Sequence, residues 1–396
     1  MGKGRVAVVT PRYGDDVIGG SEAVMREMAH GLAARDWEVD VLTTCARSHY
    51  TWRNEYQRGA ARVGDLTVHR FLTVQDGERT RRDVLEGRIQ LGLPISPDEQ
   101  QVWLHGNVRM PELFHHLVRE RGRYRAIVLS PYLMWTTATC WKVAPEKTVV
   151  VPCLHDEHYA YLDVFRPVLS EVAQVWFLSE PEHELGHRLG SLASVHHVTG
   201  AGVHESASHD AAAFHRRHPQ VGERPFVLYA GRREEGKGWP QLLGAFTKAV
   251  VEHGADLQLV TTGVGPVDPS RVVASRVHDL GFVAEEEIGD VFAAAAAYVQ
   301  PSPNESFSRT VMESWLAGTP VIASGGSDVV AWHCRRSGAG IVYGDAEELV
   351  HALAMVAADP SSLRSLAGPG REYVQREYAW PVVLDRMEGA LEELPS

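Results

Sequence analysis

Cysteine is scarce: four thiols in 396 residues, at positions 45, 140, 153 and 334, with no pair spaced as C-x-x-C. That excludes a disulfide-framed secreted domain and reads as reduced thiols of a cytosolic protein. Long apolar runs are missing too. Val291 to Val299 is among the longest, far short of the ~20 residues of a membrane-spanning helix. Positive charge is in deficit, with 39 Lys and Arg against 51 Asp and Glu and a net charge of −12. The excess acid lies almost wholly beyond residue 200 and argues against a nucleic-acid partner. There is no short-period repeat and no Asp-x-Asp metal clamp, and no signal peptide is expected, since Met1-Gly-Lys-Gly-Arg5 runs straight into a strand-like segment. Collagen, coiled coil, disordered tail and integral membrane protein are excluded. What remains is ordinary for a soluble globular chain: 44% hydrophobic and 23% charged residues.

The length suggests two or three domains. Short β-branched runs alternate with amphipathic stretches: Arg5–Thr10, Glu38–Thr43, Leu66–Leu72, Ala126–Leu129, Thr148–Val151 and Val175–Leu178. Alternation of this kind predicts parallel strands with crossover helices. Residues 78–121, rich in Arg, Glu, Gln and His with a Leu-Pro-Ile-Ser-Pro break, read as a helical excursion. The rhythm pauses between about Thr199 and Arg224, a histidine-rich stretch read as a linker and the approach to a second domain. It restarts at Phe226–Ala230 and continues through Leu257–Thr261, Ala297–Gln300 and Pro320–Ala323. The expectation is an α/β protein of two doubly wound, Rossmann-like domains facing a cleft. Residues 1–203 form the first, joined by a returning C-terminal helix at 381–396; residues 204–380 form the second. Ligands of such sheets bind at the carboxyl ends of the strands.

Two stretches carry chemistry. Ala230-Gly-Arg-Arg-Glu-Glu-Gly-Lys-Gly-Trp239 leaves a strand through a glycine-rich turn. It brings Arg232 and Lys237 to one strand end. A guanidinium grips two oxygens and an ammonium acts as a point charge, so the pair suits a diphosphate; a solvated turn explains the same residues. Pro301-Ser-Pro-Asn-Glu-Ser-Phe-Ser-Arg-Thr-Val-Met-Glu313 places Glu305 in the loop after a strand and Glu313 on the next helix. Carboxylates accept bonds from sugar hydroxyls, and the helix amides near Ser308–Thr310 favour an anion. The alternative is a capping Glu305 and a solvent-facing Glu313.

Gly231-Arg232 with Lys237-Gly238, the E-x7-E pair Glu305 and Glu313, Ser306-Phe307, Leu316-Ala-Gly-Thr-Pro-Val321 and Gly281-Phe-Val283 together resemble a retaining, GT-B-type glycosyltransferase of family 4. The resemblance covers nearly the whole chain. It implies that Arg232 and Lys237 hold the donor diphosphate, that Glu305 touches the transferred sugar and that Glu313 binds the ribose. It also implies that the base rests on backbone at Phe282-Val283, with Ser306, Phe307, Ser308 and Thr310 along the donor. The chain departs from the family at Ser308, where glycine is usual, and by the additional Arg233. The implied partner is a nucleotide-diphosphate sugar, UDP or GDP, with an unassigned acceptor. No cofactor or metal is expected, the location is cytoplasmic, and membrane contact is peripheral at most.

In the first domain, Gly19-Gly20 resembles the family's glycine loop, where backbone approaches the donor closely, and His155 resembles its acceptor-side histidine. A plain turn and an ordinary histidine are the alternatives. Epimerases, phosphorylases and non-catalytic nucleotide-sugar binders share the architecture. A zinc protease is a further reading, because His183-Glu184-Leu-Gly-His187 fits H-E-x-x-H. The third histidine of the longer zinc pattern would fall at Ala193. The basic run Arg119–Arg125 reads as a solvated helix end or a contact with an anionic surface.

Overall fold

Aliphatic runs without polar interruption favour strands buried on both faces. Arg5–Val9 is such a run, and in the computed structural model, which describes residues 3–17, 19–75 and 79–395, it is a central strand of a sheet. Glu78, the expected start of the helical excursion, lies outside the described residues, as do Met1, Gly2 and Ser396. The chain divides into two compact units. One runs to Gly202 and is rejoined from Trp380 on; the other is Val203–Ala379. Val203 and Trp380 thus each lie one residue across the boundaries read from sequence.

The first unit holds eight strands: β1 (Arg5–Val9), β2 (Glu38–Thr44), β3 (Gly59–Val63), β4 (Leu66–Phe71), β5 (Ala126–Leu129), β6 (Thr148–Val150), β7 (Gln174–Phe177) and β8 (Val195–Val198). Their order is β3-β4-β2-β1-β5-β6-β7-β8, parallel throughout except for the β3–β4 hairpin. The excursion forms three helices, Arg79–Gln90, Pro97–Gly106 and Pro111–Glu120. Its Leu-Pro-Ile-Ser-Pro break supplies Ser96 as a helix cap and Pro97 at the first helical position. Leu85, Ile89, Trp103, Leu104, Leu113 and Leu117 from these helices join the core of the unit.

The helix Trp380–Glu392 packs on the helix Gly20–Ala33. Trp380 Nε1 donates to Glu27 Oε2 at 2.6 Å, and Gln174 Nε2 donates to the carbonyl of Ala390 at 2.8 Å. Leu384 lies against Gly31, where a Cβ would stand 2.5 Å from its side chain.

The second unit holds six parallel strands: β9 (Phe226–Ala230), β10 (Gln258–Thr262), β11 (Val277–Asp279), β12 (Ala297–Gln300), β13 (Val321–Ser324) and β14 (Ile341–Tyr343), in the order β11-β10-β9-β12-β13-β14. The stretch between Thr199 and Arg224 is more than a linker. Its helix Ala211–Arg217 is capped by Asp210. Ser208 Oγ and the Asp210 amide both donate to the buried Asp290 carboxylate, at 2.6 and 2.7 Å.

Candidate active site

In the second sheet the chain moves outward from β9 to β11, then crosses back to β12 and moves outward the other way. The loops after β9 and β12 therefore part at the reversal, which opens a crevice at the strand ends. Both chemistry-bearing stretches of the sequence are these two loops. Gly238 has a φ of 72° and caps the helix Trp239–Glu252; a Cβ there would stand 2.3 Å from the carbonyl oxygen of Pro301. Glycine is thus required both by the left-handed backbone and by the approach of the second loop.

Lys237 Nζ donates to Glu305 Oε1 at 2.8 Å and to the Asn304 carbonyl at 3.1 Å. Both side chains are mostly buried, at 23% and 14% exposure. The pair spans the crevice. Arg232 stands nearer solvent, 3.1 Å from Glu234, and its carbonyl accepts from the buried Tyr229 hydroxyl at 2.5 Å. Burial pushes that hydroxyl's pKa upward, so it stays a donor. Arg233 has a different task. It is buried, and donates to the Gly265 carbonyl at 2.8 Å, Thr261 Oγ1 at 3.3 Å and Asp279 Oδ2 at 3.1 Å. It ties the loops after β9, β10 and β11 together.

Glu313 lies on the helix Arg309–Leu316, half-buried, with Arg309 Nη2 3.8 Å from its carboxylate. Ser308 precedes that helix with φ 70° and ψ 75°. This left-handed backbone is why glycine is usual there. Its hydroxyl accepts from Gln300 Nε2 at 2.6 Å, so it is turned back to β12. Thr310 is held likewise, accepting from the Tyr298 hydroxyl at 2.8 Å. Phe307 is buried, edge-on to His333 and Tyr378 at 5.3 and 4.9 Å between ring centres. Ser306 is half-buried in the same loop. Beyond β11, Phe282 is exposed and Val283 half-buried, with Gly281 held by Asp279 Oδ1 at 2.8 Å.

In the first unit, Gly19 caps the helix Gly20–Ala33. Beneath it lies a buried pair that the sequence reading missed: Arg12 Nη2 donates to Glu22 Oε1 at 2.5 Å. A Cβ on Gly19 would fall 2.2 Å from the Glu22 carboxylate, while Gly20 faces open space. His155 follows β6, part-exposed, with Nδ1 3.5 Å from Glu157. Its loop is fixed from below by Glu182, which accepts the Leu154 amide at 2.6 Å and the Leu178 amide. Complete burial raises the Glu182 carboxyl to about 8, against the opposing pull of those amides. Glu182 carried no sequence signal beyond its place in H-E-x-x-H's helix.

That helix, Glu180–Leu189, brings His183 and His187 together, and a third histidine, His196 of β8, joins them; Glu184 is exposed. The basic run divides. Arg125 stacks 5.6 Å over Trp37, Arg123 pairs with Glu120, and Arg119 lines a cavity of about 400 Å³ with Arg58, Arg70, His69, His115 and Glu112. Among the described residues no helix is long and apolar enough to cross a membrane. All four cysteines are free and buried.

Residues 224–359 match the family model "Glycosyl transferases group 1". The chain is 35% identical to the phosphatidyl-myo-inositol mannosyltransferase of Mycobacterium tuberculosis over 327 residues, 81% of this chain and 77% of the relative. It spans just under half the length, 43–48%, of three other curated glycosyltransferases it matches. Sucrose-phosphate synthase from Thermosynechococcus elongatus superposes with a TM-score of 0.75 at 21% identity, covering 99% of both chains. HepE of Anabaena, in complex with UDP-glucose, superposes with a TM-score of 0.70 at 16% identity, covering 98% of this chain and all of the other. On the strength of the mycobacterial match the chain belongs to the glycosyl transferases group 1, a family of transferase enzymes, and its fold is GT-B.

Proposed function

We propose that this chain moves a sugar, with retention of anomeric configuration, from a nucleoside-diphosphate sugar to an acceptor hydroxyl. The observation that carries the reading is the Lys237–Glu305 pair joining the loops after β9 and β12. Arg232 and Lys237 hold the donor diphosphate and Glu305 meets the sugar. Glu313 takes the ribose hydroxyls, and the base rests on backbone at Phe282 and Val283. Ser306, Phe307, Ser308 and Thr310 shape the loop and helix start along the donor. UDP or GDP is the leaving group; the UDP-glucose bound by HepE supports the first. Gly19 and Gly20, at the start of the helix Gly20–Ala33, and His155, in the loop after β6, are assigned to the sugar and acceptor.

In the reaction the bond between the anomeric carbon and the diphosphate oxygen breaks. The acceptor oxygen bonds to the same face of that carbon, and its proton passes to the departing diphosphate. Arg232, Lys237 and the amides at the start of the helix Arg309–Leu316 stabilise the charge growing on the leaving group. These cations replace a metal in that role, so transfer proceeds in EDTA. The reduced, buried cysteines favour a cytoplasmic location.

The test is thermal stabilisation of the EDTA-treated protein by UDP, GDP, dTDP and ADP, followed by nucleoside-diphosphate release from the sugars of the best binder. One nucleotide should stabilise and its sugar donor should turn over. Stabilisation by none of the four would overturn the reading. Binding without any donor turnover would leave a nucleotide-sugar binder in place of an enzyme.

A further inference from the structure

We propose that His183, His187 and His196 form a site for a late first-row divalent metal ion, zinc foremost, that pins the helix Glu180–Leu189 to the edge strand β8. One ring nitrogen from each histidine lies within 4.8 Å of the others. His183 and His187 are four residues apart on one helical face, and their Nε2 atoms stand 3.0 Å apart. Zinc–nitrogen bonds of about 2.0–2.1 Å at tetrahedral angles put ligand atoms about 3.3 Å apart. The spacing of that pair is therefore within a few tenths of an ångström of a loaded site, and the His196 nitrogen has at most about 1.5 Å to close.

An outer hydrogen bond orients one of the rings and a carboxylate stands near a second. His196 Nδ1 lies 3.0 Å from the Ala193 carbonyl, which takes its N–H and leaves the lone pair on Nε2. His183 Nδ1 faces the Glu180 carboxylate at 3.7 Å. Metal-bound histidines are held in this way by carbonyls and carboxylates. Phe177 floors the cluster, its ring centre 5.1 Å from that of His183. His187 is exposed while the other two are half-buried, so the ion has a path in and a fourth position open to water. Three neutral nitrogens and no thiolate suit zinc, copper or nickel and not magnesium or calcium.

The role that fits is mechanical. β8 pairs with one neighbour only, and the helix before it also carries Glu182, which holds the amide beside His155. An ion across the helix and β8 stiffens the support of that loop. The site lies in the first unit and does not rest on the transfer reaction proposed for the chain.

The test uses the tag-free chain, stripped with EDTA, desalted and titrated with Zn²⁺ against a chromophoric chelator. Wild type should take up one equivalent with Kd below about 1 μM and rise in Tm. His187→Ala and His196→Ala should each weaken binding about 100-fold and lose the Tm rise, while the exposed His105→Ala should change nothing. Unchanged zinc affinity in His196→Ala overturns the site. Should those variants fail to fold, Co²⁺ added to wild type decides: the intense visible band of a four-coordinate ion is expected, and a weak six-coordinate spectrum overturns the proposal.

Discussion

Lys237 and Glu305 come from loops on opposite sides of the strand reversal, yet their side chains meet at 2.8 Å. Each holds the other at the place proposed for the donor diphosphate and sugar. Removing either partner also misplaces the one left behind. Lys237→Ala and Glu305→Gln should each lower turnover by about 10²–10³-fold while the fold survives. The double variant should lose far less than the product of the two, because the residues act as a unit. Rates of donor consumption for the four proteins check this; near-normal turnover in Lys237→Ala would remove the lysine from the site.

Arg232 and Arg233 are neighbours with separate tasks. Arg232→Ala should weaken donor use and leave Tm within a degree or two. Arg233→Ala removes a buried guanidinium and its bonds to the Gly265 carbonyl, the buried Thr261 hydroxyl and Asp279, and should cost about 2–4 kcal/mol, lowering Tm by roughly 10 °C. Calorimetry of the two variants beside their kinetics separates them. Equal Tm losses would show that both arginines are structural.

Gly238 admits no side chain. Gly238→Ala must both hold a left-handed backbone and push the Pro301 carbonyl aside. That shift moves the loop bearing Glu305, so activity should fall by about 100-fold or more, in line with a 1 Å misplacement of catalytic groups. A soluble variant with normal donor turnover would contradict the close approach of the two loops.

Acid should loosen the second unit through His333. It is buried against Phe307 and Tyr378, its Nδ1 is 2.9 Å from the Tyr373 hydroxyl, and the nearby Arg336 charge adds to burial in lowering its pKa to about 3. The unfolded chain takes up this proton near 6.5 and the folded chain does not. The stability of the neutral form is therefore present above 6.5 and lost as pH falls toward 3. At pH 5 the loss is about 2 kcal/mol. Denaturant midpoints between pH 7 and 5 should fall less steeply in His333→Gln than in wild type; parallel slopes would refute the assignment.

The strands that were legible in the sequence are the inner ones, β1, β2, β4–β7, β9, β10, β12 and β13. Most are covered on both faces and show largely aliphatic runs; β4 is half-buried and showed through its alternating apolar residues. The four that were not, β3, β8, β11 and β14, are the four sheet edges. Their residues are mostly half-exposed or exposed, so no apolar run marks them. The His196-His197 pair was visible in the sequence, but His196 sits on β8 and no spacing along the chain relates it to His187. The two chemistry-bearing loops were legible because both follow inner strands. Arg233 and Ser308 showed as departures from the family, but their bonds to Asp279 and Gln300 depend on neighbours distant in sequence.

The returning helix Trp380–Glu392 gives synthesis an unusual schedule. The first unit emerges from the ribosome early but lacks that helix until all of Val203–Ala379 has been made. At 5–20 residues per second the wait is on the order of 10–35 s. Throughout it, the face of Gly20–Ala33 that later receives Leu384 stands bare to water. The second unit, continuous in sequence, has every strand and helix it needs before the first is finished. A premature stop just short of Trp380 would therefore spare the second unit and damage the one translated first.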